Sequence, residues 1–404
     1  MREGFKKTPI GEIPNDWELG FLGEYLDYVQ PTKYITNNIS DEGNIPVLTA
    51  NKAFVLGYTN EEEDIFSNLP VIIFDDFTTD CKFVNFPFKV RSSALKILVP
   101  KSNNIDITYL YESLKSINYQ CVEHKRYWIS EYQHLKIPLP LLPEQQKIAE
   151  ILSTVDAKIE VIDQQITETQ ELKKGLMQRL LTKGIGHTEF KKSPLGNIPK
   201  SWEFVKLSEI CDEIFLGLTS KVDYVESGGF PFVRTTDIKY GKLSFENIKH
   251  ISEQQHKKLT KNRITKKGDV LVSKSGTLGT CAIVDVDFEF STYESIITIQ
   301  PKSELLSNKF LLQILQDTDV QKRMIGARVG GIVGHLNLMT FRKLIIPLPS
   351  LNEQLHISEL LSLVDQKLVV LSKKKSYYQK LKKGLMQQLL TGKVRVQLNT
   401  KVSA

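Results

Sequence analysis

The chain has 404 residues, of which 41% are hydrophobic and 25% charged, and its formal net charge is +6 at pH 7. This composition argues against an intrinsically disordered chain, and the length favours two to four domains over a single core. No apolar run approaches the roughly 18 to 20 residues of a membrane-spanning helix, and no signal peptide is recognisable, so we expect a cytoplasmic protein without membrane contact. The mild positive charge is compatible with a polyanionic partner without requiring one.

The first predicted globular region opens with Lys7–Trp17 and contains short strands. Strands are expected at Ile45–Leu48, Leu69–Phe74 and Leu95–Val99, and a helix is expected near Tyr109–Leu114. These strands alternate poorly and are not separated by regular crossover helices. They therefore predict a mixed α/β (α+β) domain and not a doubly wound parallel sheet.

A long helix is predicted next, over Glu144–Thr182, which contains no proline and a single glycine, Gly175. Its apolar residues recur in alternating steps of four and three, the 3.5-residue repeat of a coiled-coil seam. The expected seam residues of this helix are Ile148, Leu152, Val155, Ile159, Ile162 and Ile166. The apolar pattern then continues with Leu172.

The second half of the chain repeats the first. Lys192–Trp202 resembles Lys7–Trp17 closely, and strands at Phe230–Val233, Asp269–Val272 and Ser295–Ile299 follow in the same order, with a helix near Phe310–Leu315. A repeat this long indicates one structural unit used twice. Because the ends are similar and the middles diverge, we predict two related domains that hold two different ligands in a fixed relation.

A second long helix, Glu353–Thr391, keeps the frame of the first helix. Its expected seam residues are Ile357, Leu361, Val364, Leu368 and Leu371. Lys375 replaces Ile166 in this frame; it either fixes the register of the coil or lies at the edge of the seam with its ammonium group in water. Since the order is globular, helix, globular, helix, we predict an intramolecular antiparallel coiled coil with pseudo-two-fold symmetry that joins and separates the two globular domains.

These elements give a predicted domain organisation. A helix of this length extends about 58 Å at ~1.5 Å per residue. The predicted parts are a globular domain over 1–142, a central helix over 143–186, a second globular domain over 187–351, a C-terminal helix over 352–392 and a tail over 393–404.

The sequence contains no specific catalytic or metal-binding pattern. The chain has no G-x-x-x-x-G-K-[ST] phosphate loop. Asp-x-Lys triplets, which nucleases use beside a metal, start at Asp80 and Asp237, but also at Asp156 and Asp365 inside the predicted coil. The pattern is therefore at background frequency. The cysteines stand too far apart to pair as metal ligands, and we expect buried, reduced thiols at Cys81, Cys121, Cys211 and Cys281.

The combined features resemble the specificity subunit of type I restriction–modification enzymes. The resemblance rests on the segment Ile137–Gln145, which closes the first globular region, and on its second copy, Ile345–Gln354. The domain openings at Ile13–Trp17 and Ile198–Trp202 and the strand-and-turn motif Lys267–Gly276 also match. The first domain departs from the pattern, because 69–77 has no Gly-Asp pair and 124–128 lacks the glycines of 326–334.

The resemblance implies a DNA reader without catalytic residues or a cofactor of its own. Each globular region would be a target-recognition domain that binds one half of a bipartite duplex target, and the coil would set the distance between the halves. Methyltransferase subunits, which carry S-adenosylmethionine, would dock on the coil. Restriction subunits, which use ATP and Mg²⁺, would join them.

Candidate DNA contacts follow from charge, stacking surface and the expected loops. Phosphate contacts position such a protein and side chains on loops read base edges. The candidates are Lys125, Arg126, Tyr127, Arg234, Thr235, Lys274, Ser275, Arg328 and His335. The basic run Lys249–Lys267 is either a phosphate-binding surface or an ordinary solvated one.

Gly175 and Gly384 occupy the same place in the two long helices. Glycine inside a helix costs roughly 1 kcal/mol relative to alanine. The pair is either a tolerated relic of shared ancestry or leaves room for a docking methyltransferase helix.

Two other functions remain open at this stage. A coiled-coil scaffold that binds proteins through its end domains predicts no salt-dependent affinity for DNA. A metal-dependent nuclease with dispersed ligands predicts cleavage by the purified chain with Mg²⁺.

Overall fold

The structure is a computed structural model that describes residues 2–50, 53–117, 119, 125–217, 221–239, 241–325 and 336–398. It divides into a first unit, formed by residues 1–164 and 373–404, and a second unit, formed by residues 165–372. Each unit contains one globular domain and a length of both long helices. No helix in the described ranges is long and apolar enough to cross a membrane.

The first unit is built mainly of short strands. Its strands are β1 Phe5–Thr8, β2 Gly11–Pro14, β3 Glu18–Phe21, β4 Leu26–Val29, β5 Ile45–Leu48, β6 Val55–Thr59, β7 Val71–Asp75, β8 Cys81–Val84, β9 Lys89–Val90, β10 Leu95–Pro100 and β11 Lys136–Leu139. Its helices are α1 Leu22–Tyr25, α2 Ile107–Ser116, α3 Tyr127–Ser130 and the start of α4 Leu142–Lys183, with 3-10 turns at Pro31–Tyr34 and Tyr132–His134.

A four-stranded antiparallel sheet, in the order β4-β10-β7-β8, is the centre of this unit. One face, with Ile72 and Phe74, packs in a core with Leu110 of α2. The other face, with Ile73, belongs to a separate core that includes Phe88. Because both faces are buried, β7 is apolar from Val71 to Phe74, which is why the sequence shows poor alternation.

The second unit repeats this plan with additional strands. Its strands are β12 Phe190–Ser193, β13 Gly196–Pro199, β14 Glu203–Lys206, β15 Cys211–Leu216, β16 Tyr224–Val225, β17 Phe230–Val233, β18 Ile238–Lys239, β19 Lys242–Leu243, β20 Lys249–Ile251, β21 Val270–Ser273, β22 Cys281–Ile283, β23 Ser291–Thr292, β24 Ile296–Pro301 and β25 Ile345–Leu348. Its helices are α5 Glu253–Thr260, α6 Asn308–Gln316, α7 Thr318–Ile325, α8 Leu338–Arg342 and the start of α9 Leu351–Leu389, with 3-10 turns at Leu207–Glu209 and Thr235–Asp237.

The sheet β15-β24-β21-β22 corresponds strand for strand to the sheet of the first unit, and all its pairs are antiparallel. It is also buried on both faces, with Val270 and Leu271 in different cores. The predicted strands are present, although the one expected from Leu69 begins at Val71. The antiparallel order confirms a mixed α/β fold without a doubly wound sheet.

The two long helices pair antiparallel, as predicted. In the first unit Ile148, near the start of α4, shares a core with Leu389, at the end of α9. In the second unit Leu180, near the end of α4, shares a core with Ile357, near the start of α9. Both helices begin two residues earlier than expected, and α9 ends at Leu389 instead of Thr391.

The expected seam residues are buried or half-buried. The buried ones are Ile148, Leu152, Val155, Ile162, Ile357, Leu361 and Leu371, and the half-buried ones are Ile159, Ile166, Val364 and Leu368. When the alternating steps of four and three are continued beyond these residues, Lys173 and Lys382 fall at seam positions. The apolar neighbours Leu172 and Leu381 are 52% and 36% exposed, so these leucines lie outside the seam. Lys375 forms an ion pair with Asp163, its Nζ lying 2.6 Å from Oδ1.

The Glu-Gln pair that opens each long helix ties the helix to its domain. In the first unit Trp17 donates a hydrogen bond from Nε1 to Glu144 Oε2 at 3.0 Å, and Gln145 Oε1 accepts the Asp106 amide at 2.8 Å. In the second unit the equivalent bonds run from Trp202 to Glu353 at 2.9 Å and from the Ser307 amide to Gln354 at 2.8 Å. The repeated tryptophan and Glu-Gln segments of the sequence are therefore the two sides of one contact.

Candidate nucleic-acid interface

Two segments meet at one end of the second unit's sheet. The turn after β21, Lys274–Thr280, carries the candidates Lys274 and Ser275, both half-buried. The Lys274 amide donates to Ser295 O at 2.7 Å, and Lys274 O accepts the Leu336 amide at 3.2 Å. These bonds hold the turn between β24 and the segment that leads into α8.

The first unit makes the same two backbone contacts at its own sheet. The Asp76 amide donates to Ala94 O at 3.2 Å, and Asp76 O accepts the Tyr127 amide at 2.9 Å. Asp76 is thus the structural counterpart of Lys274, and Tyr127 is the counterpart of Leu336. The turn after β7 and the segment that begins at Tyr127 in the first unit therefore correspond to the turn after β21 and the segment that begins at Leu336 in the second.

Arg234 and Thr235 join the turn of the second unit. Thr277 Oγ1 donates to Thr235 O at 3.2 Å. Arg234 forms a bidentate pair with Asp237, with both bonds at 2.9 Å, and this hydrogen bonding raises the pKa of Arg234. Part of the hydrogen-bonding capacity of the Arg234 guanidinium is therefore used by Asp237. The turn that carries Lys274 lies next to Thr235, the residue that follows Arg234.

The candidates of the first unit differ from one another in exposure. Arg126 is exposed, and Lys125 is half-buried with its Nζ 2.8 Å from Glu131 Oε1. Tyr127 and Trp128 are each 1% exposed and belong to the core of the unit. Both rings therefore pack in the core beneath the segment that carries Arg126. The stacking surface that the sequence predicts is not exposed.

A buried ion pair that the sequence did not predict lies beneath this segment. Lys96 Nζ is 3.8 Å from Asp76 Oδ2, and the two side chains are 0% and 1% exposed. Asp76 Oδ1 accepts the Trp128 amide at 2.8 Å. Burial lowers the pKa of Lys96, and the Asp76 carboxylate opposes that shift. The signal in the sequence was the lysine itself, a charged residue inside the apolar strand β10.

The basic run Lys249–Lys267 contains several ion pairs. Lys257 pairs with Glu253 at 2.7 Å, Arg263 with Glu213 at 2.8 Å, and Lys267 with Asp287 at 2.8 Å. Exposed pairs of this kind contribute little to stability. These three cations have local acidic partners, as in an ordinary solvated surface.

Three of the four cysteines lie in the described part of the chain. They are buried, as predicted, and burial raises the pKa of the Cys81, Cys211 and Cys281 thiols to about 12. The candidates Arg328 and His335, the glycine loop around them and Cys121 lie outside the described residues. Within the described part of the chain no cluster of His, Cys, Asp and Glu could hold a metal ion.

Gly175 and Gly384 lie on open parts of the long helices. A Cβ added at either glycine would meet no atom within 4 Å among the described residues. In the second unit exposed apolar side chains on the helices include Leu172 and Val370, and in the first unit they include Val161 and Tyr377. Packing within each unit therefore does not require these glycines.

Comparison with known proteins gives a consistent assignment. The family model described as "Type I restriction modification DNA specificity domain" matches residues 14–171 and 199–379. The chain is 29% identical to the type I restriction enzyme MjaVIII specificity subunit of Methanocaldococcus jannaschii, over 98% of this chain and 96% of that protein. It is 30% identical to the EcoR124I/EcoR124II specificity subunit of Escherichia coli, over 85% of each chain.

A solved structure shares the fold. The crystal structure of the S subunit of a type I restriction–modification system from M. genitalium covers 96% of this chain and 99% of its own, with a TM-score of 0.61 and 18% sequence identity. The duplicated sheets, the paired long helices and the two matches to the family model lead to one conclusion. The chain belongs to the type I restriction–modification DNA specificity family.

Proposed function

We propose that this chain is the non-catalytic DNA-recognition subunit of a type I restriction–modification enzyme, with each globular domain reading one half of a bipartite duplex target. The observation that carries the proposal is the equivalence of two surfaces, which we call the turn-and-segment surfaces. They consist of the turn from Asp76 with the segment 125–128 in the first unit, and of the turn Lys274–Thr280 with Leu336 and the adjoining Thr235 in the second. In each unit the same two backbone hydrogen bonds hold the turn at the corresponding sheet. The turn of the second unit carries Lys274 where the first unit has Asp76, and the segment of the first unit carries Arg126. A shared scaffold with different side chains is what two related readers of different sequences require.

The proposed contacts divide into two groups. Arg126 and Lys125 in the first unit, and Lys274, Ser275 and Thr235 in the second, belong to the turn-and-segment surfaces and are proposed to contact the target. Arg328 and His335 are proposed contacts on sequence grounds alone. The adjacent cations of each surface would bind phosphates, which makes affinity fall steeply with salt.

The coil is proposed to set the spacer between the half-sites and to dock methyltransferase subunits. The open helix surface at Gly175 and Gly384 supports docking, because a partner helix could approach the backbone closely at both positions. S-adenosylmethionine, ATP and Mg²⁺ are proposed to bind the methyltransferase and restriction subunits and not this chain. Such a complex would act on chromosomal DNA in the cytoplasm.

Mapping modified adenines in the genome of the source organism tests this function directly. A bipartite motif with a fixed spacer, absent after deletion of the gene for this chain and restored by its return, is the expected result. A modification pattern that is unchanged by the deletion, in a strain with active methyltransferase subunits, contradicts the proposal.

A protein scaffold is the second candidate function, and the exposed apolar side chains of the coil are compatible with it. Titration of labelled duplex DNA into the complex of this chain with its methyltransferase subunits distinguishes the scaffold function from DNA recognition. Affinity that falls with rising salt supports DNA recognition, and no affinity at low salt supports the scaffold.

A further inference from the structure

Each unit has a lysine in the seam of the coil, where the heptad frame calls for an apolar side chain. Lys382 in the first unit is 8% exposed, and Lys173 in the second unit is 19% exposed. Each lysine crosses to an aspartate on the opposite helix. Lys382 Nζ lies 2.5 Å from Asp156 Oδ2, and Lys173 Nζ lies 2.6 Å from Asp365 Oδ1. These lysines and aspartates occupy equivalent positions in the two repeats.

A third polar side chain comes from the globular domain in both units. In the first unit Glu112 of α2, which is 1% exposed, accepts from Lys382 at 2.8 Å. In the second unit Gln313 of α6 donates from Nε2 to Asp365 Oδ2 at 3.3 Å. Helices α2 and α6 follow corresponding strands, β10 and β24. Each unit thus has a polar triad that joins both coil helices to the domain.

The helix that carries Glu112 also packs on the strand that leaves the candidate DNA-binding turn. Tyr111 of α2 contacts Phe83 of β8, with ring centroids 5.7 Å apart. Strand β8 begins at Cys81, directly after the turn that contains Asp76. A displacement of α2 on the coil would therefore move the strand next to the turn.

Burying charges for stability alone would be inefficient. A buried ion pair seldom stabilises a protein more than well-packed apolar residues do, whereas a polar residue in a seam selects one register. Any slip of α4 against α9 would leave Lys382 facing apolar seam residues and would leave Asp156 and Glu112 without their cation. The directional bonds of the triad also resist rotation of α2 on the coil.

We propose that Lys382 and Lys173 are positioning residues that lock each target-recognition domain onto the coil in one register and one orientation. The lock is ionic in the first unit, through Glu112, and uses a neutral amide in the second, through Gln313. The role of this lock in DNA recognition rests on the proposed function. Its role in orienting α2 on the coil is independent of that function.

The test compares two variants of the full chain with the parent. Neutralising the first triad together, with Glu112→Gln, Asp156→Asn and Lys382→Met, avoids leaving a buried charge unpaired. The matched control is Lys375→Met, which removes a seam lysine whose partner, Asp163, lies on the coil. Circular dichroism is used to check that both variants keep their helix content.

Spin labels at Lys115→Cys on α2 and Glu160→Cys on α4, in a Cys121→Ser background, report the orientation by electron–electron distance measurement. We expect one narrow distance distribution in the parent and in Lys375→Met, and a broadened or shifted distribution in the triad variant. An unchanged narrow distribution in the triad variant overturns the inference, whether or not the chain binds DNA.

DNA binding by the complex with methyltransferase subunits gives the functional readout. Duplexes whose spacer is one base pair too short or too long should bind the parent complex more weakly than the correct duplex. In the triad variant the ratio of the affinities for the correct duplex and for the altered duplexes should fall about tenfold. A change of this size is typical of coupling within one polar network. If the parent complex shows no DNA affinity, the proposed function fails while the distance measurement still decides the positioning role.

Discussion

Lys96 Nζ lies 3.8 Å from Asp76 Oδ2, and neither side chain is more than 1% exposed. Asp76 is at the start of the turn after β7, and its carboxylate holds the Trp128 amide. The pair therefore joins the middle of the sheet to the segment that presents Arg126. The second unit has Lys274 and the apolar Ile297 at the corresponding positions. A buried ion pair therefore underlies the surface of the first unit but not that of the second.

The first prediction concerns this pair. Lys96→Met should destabilise the first unit by about 3 to 5 kcal/mol, because it leaves the buried Asp76 carboxylate without a cation. The double variant Lys96→Met/Asp76→Asn should lose clearly less stability than the single variant, because no buried charge is left unpaired. Hydrogen exchange of β7 and β10 amides measures the loss, and the amides of β21 and β24 are the internal control. Equal protection in the single variant and the parent would refute the role assigned to the pair.

The second prediction is a pH dependence centred on Glu112. Burial raises the pKa of Glu112 in the folded chain, although its bond to Lys382 opposes this. Between the ordinary pKa of glutamate and this raised value, the folded state binds more protons than the unfolded state. The stability of the first unit should therefore fall as pH rises through that window and level off above it.

Glu112→Gln should remove that decline, and Gln313→Glu should introduce one in the second unit. Urea unfolding at several pH values, followed by hydrogen exchange of each unit, measures both changes. A decline that persists in Glu112→Gln would assign it to another group.

The third prediction is that the two domains are separable readers. Exchanging Lys192–Leu351 for the corresponding domain of a relative should change one half-site and leave the other intact. The exchanged segment begins and ends at repeated sequences, so the contacts of Trp202 with Glu353 can re-form. Adenine mapping with the chimera gives the result, and loss of both half-sites in a folded, partner-bound chimera would contradict modular recognition.

The fourth prediction concerns Gly175 and Gly384. Since a Cβ at either position meets no neighbouring atom in the described chain, alanine should stabilise the helix by up to about 1 kcal/mol per site. Leucine at both sites should keep the helix content but weaken binding of the methyltransferase subunit by tenfold or more, about 1.4 kcal/mol. Isothermal titration with the two double variants separates these effects. Undiminished affinity with leucine would remove the glycines from the docking surface.

The periodicity of the sequence determined the long helices and their pairing. The step pattern from Ile148 to Ile166 requires a partner seam, and the matching frame from Ile357 supplies it within the same chain. The repeated tryptophan and Glu-Gln segments likewise indicated one unit used twice. These features are local or periodic, so they are visible without coordinates.

The tertiary structure decided which side chains share the candidate surface and which are buried below it. Tyr127 looks like a stacking residue in the sequence, but its place behind Asp76 puts it in the core. The roles of Lys96 and of Lys382 depend on partners far away in the chain, Asp76 on another strand and Glu112 on a domain helix. A sequence shows which residues are charged, but a buried charge takes its role from the partner that the fold brings within bonding distance.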